Sequence, residues 1–150
     1  MIKINGQAKL VMDKLTLGLD APGDNRVINN ARGSFLAVHV EHIGECPHGP
    51  LFSVAHYYEQ NGDLMKDPDM VFACDQDQEY YPVEFPQDNL GLYQCAAQWK
   101  EGGKIKGVNL KLQQDLAKFA ATWTRNIREQ HGLSPLVELK VKAADLVKLR

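Results

Sequence analysis

The chain has 150 residues, 44% hydrophobic and 24% charged, with a formal net charge of −2. This composition excludes a disordered chain, and the length suits a single domain over residues 1–150, large enough to bury a core without disulfides or metal. No apolar run approaches the roughly 18 residues of a membrane span, and the slight acidity argues against a dedicated nucleic-acid binder.

Residues 6–17 are predicted as a short N-terminal helix. Asn5 can cap it, and Ala8, Val11, Met12, Leu15 and Leu19 recur on one helical face. Gly18 and the polar cluster at 20–25 end it, and 26–31 is open between strand and loop. Residues 35–43 alternate as a strand, with Leu36, Val38 and Val40 on one side and His39 and Glu41 on the other. Two glycines and two prolines make 44–50 a turn, and 51–59 resumes alternation with Phe52, Val54, His56 and Tyr58 on one face. Asn61-Gly62 is a tight-hairpin signal, but Pro68 lacks an N–H for a ladder. The expectation is therefore a broad acidic connection over 61–68 and a strand from 69 to 75. Strands at 80–85 and 90–99 follow, and the glycine-rich 101–107 reads as a basic connector.

Asn109 is placed to cap a long helix. Leu112, Leu116, Phe119, Ala120, Trp123 and Ile127 form its apolar stripe, and His131-Gly132 ends it. A further apolar rhythm runs through 136–150. The fold class is α+β: an antiparallel meander sheet of four to five strands, covered by the long C-terminal helix, with a short N-terminal helix.

Charge is divided along the chain. Residues 1–98 hold six Lys/Arg against fourteen Asp/Glu, and residues 99–150 hold eleven against five. Segment 59–88 has nine acids and only Lys66 as a base. The C-terminal third leaves weak nucleic-acid binding as an alternative.

No motif carries a reaction. His39, His42, Cys46 and His48 are close in sequence, but an offset of three sends the first two to opposite faces of a strand. A calcium loop begun at Asp67 would need Gly and Glu where Phe72 and Gln78 stand, and one begun at Asp75 meets Tyr80 and Pro86. Cys74 reads as a buried structural thiol, and Ser34 and Ser53 lack the glycines of a nucleophile elbow. Gly102-Gly103-Lys104 lacks phosphate-loop spacing. Arg125 and Arg128, with Lys111 and Lys118, form a basic helix face that is either solvated or an anion grip. No catalytic residue, metal or cofactor is assigned. An odd set of three cysteines and an N-terminus without an apolar stretch point to the cytoplasm.

The phrase His56-Tyr57-Tyr58-Glu59-Gln60-Asn61-Gly62-Asp63-Leu64-Met65, continued by Asp67-Pro68-Asp69-Met70 and Phe72, resembles an uncharacterised domain family carried on phages and other bacterial mobile elements. The likeness extends through Tyr81-Pro82-Val83 and Leu112-Gln113 to Trp123, Arg125 and Asn126, covering about 35–131; 134–150 reads as an extension peculiar to this chain. The resemblance carries no assigned activity. It implies an accessory protein in the cytoplasm of a bacterial host, modulating the host or countering its defences.

The leading expectation is therefore protein–protein binding. The candidate surface is His56, Tyr58, Glu59, Gln60, Asn61, Gly62, Asp63, Asp67 and Asp69, and the expected partner is a host protein with a basic surface. The alternative is a small-ligand or nucleotide-binding protein, or a metal-dependent enzyme, using His56, Tyr58 and Glu59.

Overall fold

The computed structural model describes residues 1–29, 36–87 and 92–133. Asn5 opens helix α1 (Gly6–Thr16), its side chain accepting the Ala8 N–H at 2.8 Å. Eleven residues make a marginal helix on their own, so packing must hold it. Ala8, Val11, Met12 and Leu15 are buried, and each larger apolar side chain contributes about 1.5–3 kcal/mol. Arg26 closes the far end by donating to the carbonyls of Leu15 and Leu17.

Strands β1 (Asn25–Ile28), β2 (Val38–Cys46), β3 (Gly49–Gln60), β4 (Asp63–Cys74), β5 (Tyr80–Gln87) and β6 (Leu92–Cys95) form one antiparallel sheet in chain order. The meander is as predicted, with six strands where four to five were expected. The open segment at 26–31 supplies β1. Its last two residues, the start of the predicted 35–43 strand and the 134–150 extension lie outside the described residues. The predicted 44–50 turn shrinks to Pro47 and His48, because Cys46 already pairs with Gly49.

The 61–68 connection is corrected most. Gln60 pairs with Asp63, and Asn61 and Gly62 take φ of 53° and 85°, the left-handed pair of a two-residue hairpin. Pro68 is accommodated by a bulge. Between the Ala55–Asp69 and Tyr57–Lys66 pairs, β3 has only His56 while β4 has Asp67 and Pro68. The missing N–H thus falls where the ladder is already interrupted.

The predicted 90–99 strand also divides. After β6, Ala96 donates its N–H to Val83, and β7 (Ala97–Trp99) pairs with β8 (Ile105–Val108) in a separate ribbon. Residues 105–107 of the presumed connector therefore belong to a strand. Helix α2 (Leu110–His131) begins at Asn109, which accepts the Leu112 N–H, and stops at Gly132 with φ of 65°.

Both faces of the middle strands are covered. Met70, Phe72 and Cys74 of β4 join the large core with α1 and α2, while Val71 and Ala73 join a smaller cluster with Val83 and Ala97, packed by Trp99 and Val108. On α2 the buried face is Gln113, Leu116, Ala120, Trp123, Thr124, Ile127 and His131. It is rotated from the predicted stripe, leaving Phe119 39% exposed. Among the described residues, no helix is long and apolar enough to cross a membrane.

Gly49 is a tight point. Its φ is 141°, and an added Cβ would lie 2.2 Å from the Cys74 carbonyl oxygen. Gly49→Ala is expected to cost about 2–3 kcal/mol, whereas Gly6→Ala, with open space around it, is expected to be nearly neutral. Urea unfolding of the two variants checks this.

Candidate functional site

The nine residues singled out from sequence do not form one surface. Tyr58, Glu59 and Gln60 pair with Met65, Leu64 and Asp63 along the hairpin, and Asn61, Gly62 and Asp63 are exposed at its tip. Asp67 lies in the bulge. Asp69 is not outward at all: it is 3% exposed and accepts the Ser53 hydroxyl at 2.8 Å. The His56 ring stands edge-on to Trp123, with centroids 5.5 Å apart, and the indole N–H points to His56 Nδ1 at 3.4 Å. That contact joins β3 to α2, a packing role the sequence reading missed.

Three further acids of the segment, Asp75, Asp77 and Glu79, lie at the opposite end of β4. Strand β4 runs roughly 36 Å at about 3.3 Å per residue, from the Asp63 tip to Cys74 and the turn holding Asp75, Asp77 and Glu79. Here the end of α1, the end of β2 and the β4–β5 turn enclose a cleft of about 350 Å³. Asp13, Asp20, Glu45 and Asp75 line it, with Thr16, His42, Gln78 and Tyr80, over an apolar floor of Leu19, Phe52 and Cys74.

These side chains are held differently. Asp13 is buried, yet Lys9 donates to it at 2.9 Å and the Tyr80 hydroxyl at 2.8 Å. Burial first, then nearby Cys74 and Asp13, pushes the Tyr80 phenol well above its ordinary range, so it remains a donor. Thr16 Oγ lies 3.1 Å from the same phenol. Asp13 is thus a satisfied anchor.

His42 is 1% exposed, with Nδ1 3.0 Å from the Leu19 carbonyl and Nε2 2.9 Å from Glu45. A carbonyl can only accept, so Nδ1 carries hydrogen. His39 is on the other face, as the odd offset required. Among the described residues, no group of three His, Cys, Asp or Glu side chains is arranged to hold a metal.

Asp75 organises the turn. Its Oδ1 accepts the N–H groups of Asp77 and Glu79, and its Oδ2 accepts the Tyr81 hydroxyl. Burial alone would raise its pKa, but these bonds and nearby His48 outweigh it and hold the carboxyl below its ordinary value. Desolvation and the bond to Asp75 push Tyr81 up to about 12.

Sequence reasoning passed over Asp13, Asp20 and Glu45 as site residues because none belongs to a local motif, and weighed His42 only as a metal ligand. One signal was present: Asp13 and Thr16 lie beside Met12 and Leu15 on a short helix whose buried face they share.

The sequence profile of one protein family, described as Domain of unknown function (DUF6908), matches residues 9–133. No curated protein and no solved structure matches the chain.

Burial, then the charges of Asp75 and Asp13, pushes the Cys74 thiol up to about 12, which removes the thiolate needed for attack. In the folded protein at pH 8, Cys74 is expected to resist iodoacetamide and to react only after unfolding, as read by mass spectrometry of the labelled peptides. Asp75, with its lowered pKa, stabilises the fold fully above the unfolded value of about 3.9 and loses that contribution as pH falls through the folded value. Asp75→Asn is expected to cost about 0.5–1 kcal/mol at pH 7, in a urea-unfolding gap to the parent that narrows below about pH 3.9.

Proposed function

The chain belongs to the DUF6908 family, a domain of unknown function, and we propose that it acts by binding a partner protein with a basic surface, receiving a Lys or Arg side chain in the acidic cleft. The observation that carries this is the lining itself: Asp20, Glu45 and Asp75 surround a groove of about 350 Å³. A lysine or arginine suits such a groove. Its stem packs on Leu19, Pro50 and Phe52 while its charge meets the carboxylates. Asp77 and Gln78, exposed on the adjoining turn, extend the contact surface. Arg26 offsets the carbonyls at the end of α1, so the negative character comes from the carboxylates.

This reading keeps the basic partner expected from the sequence and moves its docking place from the hairpin tip to the other end of β4. The resemblance to mobile-element domains supports a bacterial host protein as that partner and interference with a host defence as the purpose. A small-ligand role for His56 is less favoured, since the ring packs on Trp123.

The test is a fluorescence-anisotropy titration with labelled Lys/Arg-rich peptides at low salt. Asp20→Asn combined with Glu45→Gln is expected to weaken binding about tenfold or more, roughly 1.4 kcal/mol, while Asp63→Asn leaves it unchanged. Affinity is also expected to fall as salt rises. No saturable binding at low salt, or loss with Asp63→Asn alone, sinks the reading.

A further inference from the structure

At the helix-covered side of the molecule, α1 crosses α2 and leaves a groove of about 470 Å³ with the opposite electrostatic character. Among the described residues, its lining contains no Asp or Glu. Arg125 and Arg128 face it from α2, beside Thr122 of the same helix and Asn5 and Gln7 at the start of α1. The two arginines are three residues apart and so share a helix face.

Arg128 is the decisive group. Its Nε is buried without a hydrogen-bond partner among the described residues, although its Nη2 lies 4.0 Å from Glu129 Oε1. The Arg128 side chain is 27% exposed as a whole, so its guanidinium reaches the groove while its Nε is shielded from solvent, and an acceptor brought by a ligand would satisfy that donor. The first turn of α1 adds to this: Asn5 takes the Ala8 N–H, and the Gly6 and Gln7 amides have no partner within the helix. No acidic side chain occupies that turn.

We infer that this groove binds a phosphate group, held by the Arg125 and Arg128 guanidiniums with the first-turn amides of α1. Guanidinium forks match phosphate geometry, and the positive end of a helix favours the same charge. The volume suits a small phosphorylated molecule, with free phosphate and a nucleotide monophosphate sharing the recognised chemistry. The site stands apart from the acidic cleft and does not depend on it.

Amide and arginine-Nε NMR spectra of the full chain, titrated at constant ionic strength with sodium chloride as balance, test the assignment. Inorganic phosphate and adenosine monophosphate are expected to shift the Arg128 Nε–H and the Gly6 and Gln7 amides saturably, and adenosine to shift none. Tighter binding of the nucleotide identifies a phosphorylated metabolite; equal binding identifies phosphate itself. Arg125→Gln, at an exposed position, is expected to weaken binding at least fivefold with the spectrum otherwise preserved. Arg128→Lys is expected to keep part of the affinity, having charge without the fork. An unmoved Arg128 Nε–H, a shift reproduced by chloride, or full affinity in Arg125→Gln overturns the proposal.

Discussion

A single buried polar link fixes much of what the molecule presents. Asp13 lies on a helix too short to persist alone, and its carboxylate meets Lys9 from one side and the Tyr80 phenol from the other. A buried carboxylate without such partners would be strongly destabilising, so α1 has little freedom to rotate once Asp13 enters the core. The adjoining backbone bond from Ile4 N–H to the Tyr80 carbonyl, at 3.0 Å, aligns the preceding residues with the same strand. Through these contacts the end of α1 is set against the β4–β5 turn, and the cleft between them has fixed walls.

Gln113 plays the matching part for α2. Fully buried, it accepts the Ile2 N–H at 2.6 Å and donates to the Pro82 carbonyl at 3.1 Å. One amide side chain thus ties the long helix to both the N-terminal segment and β5. The His56–Trp123 edge contact adds a second tie at β3. With α1 and α2 both anchored to the sheet, the groove between them is an enforced gap whose arginines come from one helix and whose amides come from the other.

The charge division seen along the chain acquires a spatial meaning here, though a different one from a single acidic face. Asp63 and the Asp75 turn are separated by the length of β4, and Asp69 is inside. The carboxylates that do converge come from α1, the loop after it, β2 and the β4–β5 turn. Arginines of the basic part meet the start of α1, away from those acids. The two grooves of opposite sign thus lie at the two ends of α1, the basic one at its start and the acidic one at its end.

Elements with local causes were legible in the sequence. Asn5 and Asn109 cap the helices they were expected to cap, Gly132 takes the left-handed end, and Val38 and Val40 of β2 and Phe52 and Val54 of β3 turn inward as read, while Leu36 falls outside β2 and is exposed, because capping and periodicity involve residues within a few positions of each other. The Asn61-Gly62 signal was present as well, but Pro68, lacking an N–H, argued against a tight ladder. Only the bulge opposite His56 reconciles the two, and a bulge is a property of paired strands. The division at Ala96 into two sheets, the burial of Asp13, His42, Asp69 and Gln113, and both grooves were decided by tertiary structure. Asp13 and Tyr80 are 67 positions apart, as are His56 and Trp123. Polar residues like these carry no hydrophobic periodicity of their own, so their burial depends on partners that only the folded register brings within hydrogen-bond reach.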